Sequence, residues 1–199
     1  MPRPPGAKVS AEAAVQLTIA DAKTLQVRDR IPVETAFRPW QFSPDGKSIY
    51  AQLSNQHVVV AYDLAAKKVV RRLELPMKPG ITAADWDFEA PHHGLALTQD
   101  GKTLCLAGRA SDYAALVSAP DLTLLATIPV GDGPGWAEVD EGGRVCFVAN
   151  ARSDELSIIS IAERREIARL TIGNGPKHIT VAHVQASVIA ALKARPSLQ

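Results

Sequence analysis

The sequence predicts an all-β fold, a β-propeller of four-stranded antiparallel blades, and three observations carry that expectation. The first is a period. The apolar residues that close successive outer hairpins, Ile31, Leu73, Ile128 and Leu170, stand 42, 55 and 42 residues apart. Repeats of about 40–50 residues, each holding several short strands, mark propeller blades. The second is a turn that recurs at one place in each repeat: Pro44-Asp45-Gly46, then Asp100-Gly101, then Gly142-Gly143. Proline sets φ, Asp bonds to nearby amides, and Gly accepts the positive φ of a tight hairpin. The third is short runs of alternating apolar and polar residues on either side of these turns, the pattern of half-buried strands.

In chain order, residues 1–13 contain Pro, Ala and Lys without periodicity and read as a disordered lead-in. Residues 14–33 alternate through Val15-Gln16-Leu17-Thr18-Ile19, turn at Asp21-Ala22-Lys23-Thr24 and return, which makes the outer half of a blade. Full blades follow over 38–75, 93–130 and 135–172. The 13 residues by which the middle gap exceeds the period are an insertion near 77–90. A fourth copy opens where Gly175-Pro176-Lys177-His178-Ile179-Thr180-Val181 matches Gly133-Pro134-Gly135-Trp136-Ala137-Glu138-Val139, giving an inner strand over 177–183. There the pattern stops. The tail, 184–199, is rich in Ala, Val, Ile and Leu over 185–193 and has helical character as far as Pro196.

Composition narrows the function classes. With 46% apolar residues and a net charge of +1, the 199-residue chain can bury a core, and it carries no basic stripe of the kind that nucleic-acid binding requires. No run approaches the roughly 20 apolar residues of a membrane span, and the opening Met1-Pro2-Arg3-Pro4-Pro5-Gly6 lacks the apolar core of a secretory signal. The compartment is left open. Aligning the repeats puts Cys105 in the column of Tyr50 and Phe147, and Cys146 in the adjacent column, on the opposite strand face. Since packed sheets lie about 10 Å apart, beyond the reach of a disulfide, both are expected to be unpaired small core residues.

The third blade carries a family resemblance. Cys146-Phe147-Val148-Ala149-Asn150, followed by Leu156-Ser157-Ile158-Ile159-Ser160, and Thr127-Ile128-Pro129-Val130-Gly131 at the end of the preceding blade, resemble the YVTN β-propeller repeat family. The first two blades depart from it at Ala51-Gln52-Leu53-Ser54 and Leu106-Ala107-Gly108-Arg109. The resemblance implies a ring of about seven blades, of which this chain supplies about half, so that blade faces are exposed at both ends. The chain is then part of a longer propeller, or two copies share one ring, or the last strand closes a small four-bladed ring. Self-association through the open faces follows from the first two. The resemblance also implies that many relatives are periplasmic or secreted. It covers binding proteins and surface proteins, and more distantly haem-d nitrite reductases and lactonases, so it does not choose a function.

Propeller sites lie where loops enter the innermost strands around the central channel. Here those loops carry Arg38, Trp40, His92, His93, Trp136, Lys177 and His178, which together suit a small-molecule, peptide or protein ligand. Packing between blades is the competing role for Trp40 and Trp136. His92 and His93 are adjacent and point opposite ways on an extended segment; with His178 they are the candidates for haem or metal ligation, ahead of His57 and His183. No metal-binding motif, nucleophile elbow, phosphate loop or catalytic triad spacing occurs, so no catalytic residue and no cofactor are expected. The insertion places Asp85, Trp86 and Asp87 beside the His92-His93 loop as a lid or partner contact. Arg109 with Asp112, and Arg152 with Asp154, read as ion pairs within turns. The expected function is a non-enzymatic binding scaffold. The alternative is a propeller enzyme or enzyme fragment, haem- or metal-dependent or lactonase-like, using the histidines.

Overall fold

Residues 15–86 and 90–194 are described in the computed structural model of this chain, and they form fourteen strands and one α-helix. The lead-in expected over 1–13 and the expected contact residue Asp87 lie outside the described residues. β1 (Gln16–Ala20) and β2 (Val27–Pro32) make a two-stranded sheet. The first blade is β3 (Phe37–Phe42), β4 (Ser48–Leu53), β5 (Val58–Asp63) and β6 (Lys68–Glu74). The second is β7 (Leu95–Leu97), β8 (Thr103–Gly108), β9 (Tyr113–Ser118) and β10 (Thr123–Pro129). The third is β11 (Pro134–Val139), β12 (Val145–Asn150), β13 (Glu155–Ser160) and β14 (Arg165–Thr171), and α1 (Ala186–Lys193) follows. Every blade runs from its inner to its outer strand in sequence order, all antiparallel.

The repeated turn folds as its residues dictate. Gly46, Gly101 and Gly143 have φ of 69°, 70° and 63°, a region costly for any residue with a Cβ. Asp45 accepts from the Ser43 hydroxyl at 2.6 Å and the Lys47 N–H at 3.1 Å, and Asp100 accepts from Thr98 and Lys102 in the same way. These donors hold both carboxyls below their ordinary pKa, the hydroxyl contributing most.

Strand alternation sends successive side chains into the gaps on either side of a blade. From β4, Ile49, Ala51 and Leu53 pack back against Ile31, while Tyr50 points forward to Leu104, Leu106 and Val117. The next gap holds Cys105, Leu116, Ile128, Cys146, Val148 and Ile159. Blades therefore pack in chain order into an arc, and the half-blade at one end is not packed against the third blade at the other. Both ends are open: the outer face of the half-blade exposes Gln16, Thr18 and Arg30, and the third blade exposes Leu170.

Two expectations are corrected. Cys105 and Cys146 form a disulfide, with Cα atoms 6.5 Å apart. They do sit on opposite strand faces, and that is why they meet: the forward face of one blade packs on the backward face of the next. Small residues draw the two sheets together there, closely enough that a Cβ on Gly94 would lie 2.7 Å from the Ala137 nitrogen. The inner strand expected over 177–183 is not formed. A strand needs a bonded neighbour, and no second strand of its own blade stands beside it.

Candidate functional site

The strand order puts the loops entering each inner strand, and the β4–β5, β8–β9 and β12–β13 hairpins, at one end of the blades. The Asp-Gly hairpins lie at the other. At the first end the structure brings together three of the residues singled out from the sequence. Trp136 lies between His93 and His178, with ring centroids 6.1 Å from the former and 4.2 Å from the latter. Trp136 comes from β11, and His178 from the segment one period later that runs beside it.

Each ring is held by its surroundings. His93 Nδ1 donates to the Gly135 carbonyl at 3.1 Å, and the Trp136 indole N–H donates to Glu138 at 3.3 Å. Burial raises the pKa of Glu138, and the indole donor offsets part of that rise. Burial lowers the pKa of His93, the Gly135 carbonyl opposes the shift, and the cations Arg38 and Arg109 lower it further. The Arg109 guanidinium lies against the site backbone: a Cβ on Gly135 would be 3.0 Å from its Nη1. The result is a cluster of three rings, inclined to their neighbours by 49° and 51°, with guanidinium charge beside it, and Arg109 joins the site although the sequence placed it in a turn ion pair.

Other expected site residues stand elsewhere. His92 does not line the mouth; it is 1% exposed between the first and second blades, with its ring 4.0 Å from that of His57. Alternation sends it inward when His93 faces the mouth. Neither His92 nitrogen has a protein hydrogen-bond partner, nor do His57 Nε2, the Tyr113 hydroxyl or either amide atom of Gln52. The two imidazole planes are inclined to each other by 51°. Among the described residues no group of three or more His, Cys, Asp or Glu side chains is arranged to hold a metal. Trp40 is 46% exposed, and its ring packs edge-on against Phe42 at 5.2 Å. Arg38, Lys177 and His178 are exposed.

The insertion docks on the same end. Lys78 donates its backbone N–H to Ser111 at 3.0 Å and its ammonium to Asp112 at 3.1 Å, and Asp85 caps Thr82 through the backbone N–H at 2.8 Å. Trp86 is half-buried. A cavity of about 530 Å³ opens between the start of the insertion and the loops bearing Asp112 and Asp132. Asp112 and Asp154 do more than the sequence suggested. Asp112 accepts the Gly133 N–H at 3.0 Å and Asp154 the Gly175 N–H at 2.8 Å, each tying its hairpin to the entry of the following blade. The signal was available, since both pairs recur at 42 residues.

The four-stranded antiparallel blades define a β-propeller segment. No family model matches the chain, and no curated protein is similar to it in sequence. Solved structures similar in fold include the hydrazine synthase of Kuenenia stuttgartiensis, at 20% identity and a TM-score of 0.60, over 73% of this chain and 39% of that one. The WD40 repeats of RRP9 give 13% identity and a TM-score of 0.56, over 69% and 39% of the two chains. Dihydro-heme d1 dehydrogenase NirN in complex with DHE gives 24% identity and a TM-score of 0.58, over 80% and 33%. This chain thus spans well under half the length of these propeller proteins, among which are both enzymes and WD40 repeats.

Proposed function

We propose that this chain is part of a ligand-binding propeller, a non-enzymatic scaffold whose channel mouth takes a planar anionic group, on a small molecule or at the surface of a partner. The observation that carries this reading is the tilted His93–Trp136–His178 ring cluster with Arg38 and Arg109 beside it. A flat π system slots against such faces, and the guanidinium groups supply charge and directed donors for a carboxylate. The blades are of the YVTN type in this reading, supported by Cys146-Phe147-Val148-Ala149-Asn150 in the third.

Calorimetric titration with naphthalene-2,6-dicarboxylate tests it. Saturable binding is expected, weakened at least tenfold in an R38A/R109A variant and for the neutral naphthalene-2,6-dimethanol. Equal binding of both probes, or none, contradicts the reading. A second reading, a haem-using enzyme, draws on the similarity to NirN. It requires that haemin added to the protein give a shifted Soret band that is lost in H178A; an unshifted spectrum removes it.

A further inference from the structure

The two ends of the arc hold complementary parts of one blade. β1 and β2 match the two outer strands of the third blade, β13 and β14: Ile31 and Leu170 occupy the same column of the repeat. Among the described residues β1 bonds only to β2, so there its other edge offers a row of unpaired backbone groups. At the far end, residues 177–183 already lie where an inner strand belongs, with His178 against Trp136, and with Val181 and His183 facing Glu138 and Val139 across a cleft of about 860 Å³. What the half-blade lacks is what this end begins to supply.

The repeat also continues further than its turn residues suggest. Residues 187–192, Ser-Val-Ile-Ala-Ala-Leu, stand one 42-residue period after β12, Val-Cys-Phe-Val-Ala-Asn. Val188 and Ala190 then fall in the columns of Cys146 and Val148, both fully buried. In the structure this stretch is α1, an eight-residue helix with Val188 45% and Ile189 42% exposed. A helix that short is marginal in water without packing, and β-branched Val188 and Ile189 favour a strand.

We infer that residues 177–192 of one chain supply the inner two strands, and β1–β2 of a second copy the outer two, of a composite blade. Residues 187–192 convert from helix to strand on the free edge of β1. The register follows that of β12 on β13, where Val148 faces Ser157, so that Ala190 faces Thr18 of the partner subunit. Three whole blades from each copy and two composite blades close a ring of eight, within the range of about 4–8 blades that propellers use. Closure within one chain would make a four-bladed ring. In this structure the half-blade and the third blade are not among the element pairs in close contact, so the two ends of one chain stand apart.

The test uses the full chain, its Cys105–Cys146 disulfide intact, in two forms with one added cysteine each, T18C and A190C, one carrying a larger tag. Mixed and mildly oxidised, they should give a disulfide-linked heterodimer, while T18C mixed with T18C gives none; light scattering of the unmodified chain should give the mass of two chains. A190P should abolish both results without loss of the strand circular dichroism signal, since proline removes a ladder donor and Ala190 is exposed, outside the three blades, in the single chain. A one-chain mass at tens of micromolar, or cross-linking only within a single T18C/A190C chain, overturns the inference. So does a dimer that survives A190P.

Discussion

The gap between the first and second blades and the gap between the second and third are built from the same repeat, yet they are closed by different means. The second is bridged by Cys105–Cys146 in an apolar surround, and its buried Asn150 donates to Ser157 at 2.8 Å while the Asn150 Oδ1 has no protein partner. The first is equally apolar around Leu104 and Val117, but towards the channel-mouth end it buries His57, His92, Gln52 and Tyr113 with polar atoms that have no protein partner. A buried, unpartnered polar group costs about 1–3 kcal/mol. The difference teaches that the repeat fixes the shape of a gap and leaves its chemistry free, so one gap is clamped and its neighbour is poised to loosen.

Breaking the clamp has the largest expected effect. Reduction, or Cys146→Ser paired with Cys105→Ser, frees a loop spanning 41 residues and should destabilise by about 3 kcal/mol, read from urea denaturation midpoints. In denaturant without reductant, neither thiol should react with iodoacetamide.

The histidine gap should respond to acid. Burial pushes the His92 pKa well below its ordinary value, with His57 adding to the shift, and burial also lowers His57. In the unfolded chain both titrate near the usual value of about 6.5. As pH falls through that value the unfolded state binds protons that the folded state refuses, so stability is full above it and declines below it. The slope is up to about 1.4 kcal/mol per pH unit for each histidine. His92→Leu should flatten the decline between pH 7 and 5 in denaturation midpoints, whereas the cysteine variants should leave its slope unchanged.

Smaller effects come from the hairpins, which both gaps share. Gly46→Val should cost about 1 kcal/mol for the positive φ alone, because no atom lies within 4 Å of the added Cβ. Gly101→Val should cost more, since its Cβ would meet Pro44 at 2.9 Å. Equal shifts in thermal midpoint would contradict this packing. Asp112→Ala should cost about 1 kcal/mol through the Gly133 N–H, and Asp154→Ala about the same.

The blades were legible in the sequence because their signals are local: Asp-Gly turns and alternating strands need only neighbours in the chain. The contacts between blades were less so. The columns of Cys105 and Cys146 were read correctly, but their pairing depends on how one sheet faces the next, which no single repeat states. The left-handed residues at the outer hairpins, Leu25, Lys67, Leu122 and Arg164, recur with the repeat, yet none is Gly or Asn and so none announces its conformation. At the mouth, His93, Trp136 and His178 were visible as loop residues one blade apart. Arg109 was not, because its reach across Gly135 belongs to a different blade. Adjacent His92 and His93 were expected to diverge, and the structure sends one to each environment.

The mouth carries the central claim, and emission from Trp136 alone tests it most directly. In a W40F/W86F background, titration with naphthalene-2,6-dicarboxylate should quench that emission saturably, and Arg109→Ala should shift the midpoint at least tenfold. Emission that does not change, or a midpoint unaffected by Arg109→Ala, would contradict the account.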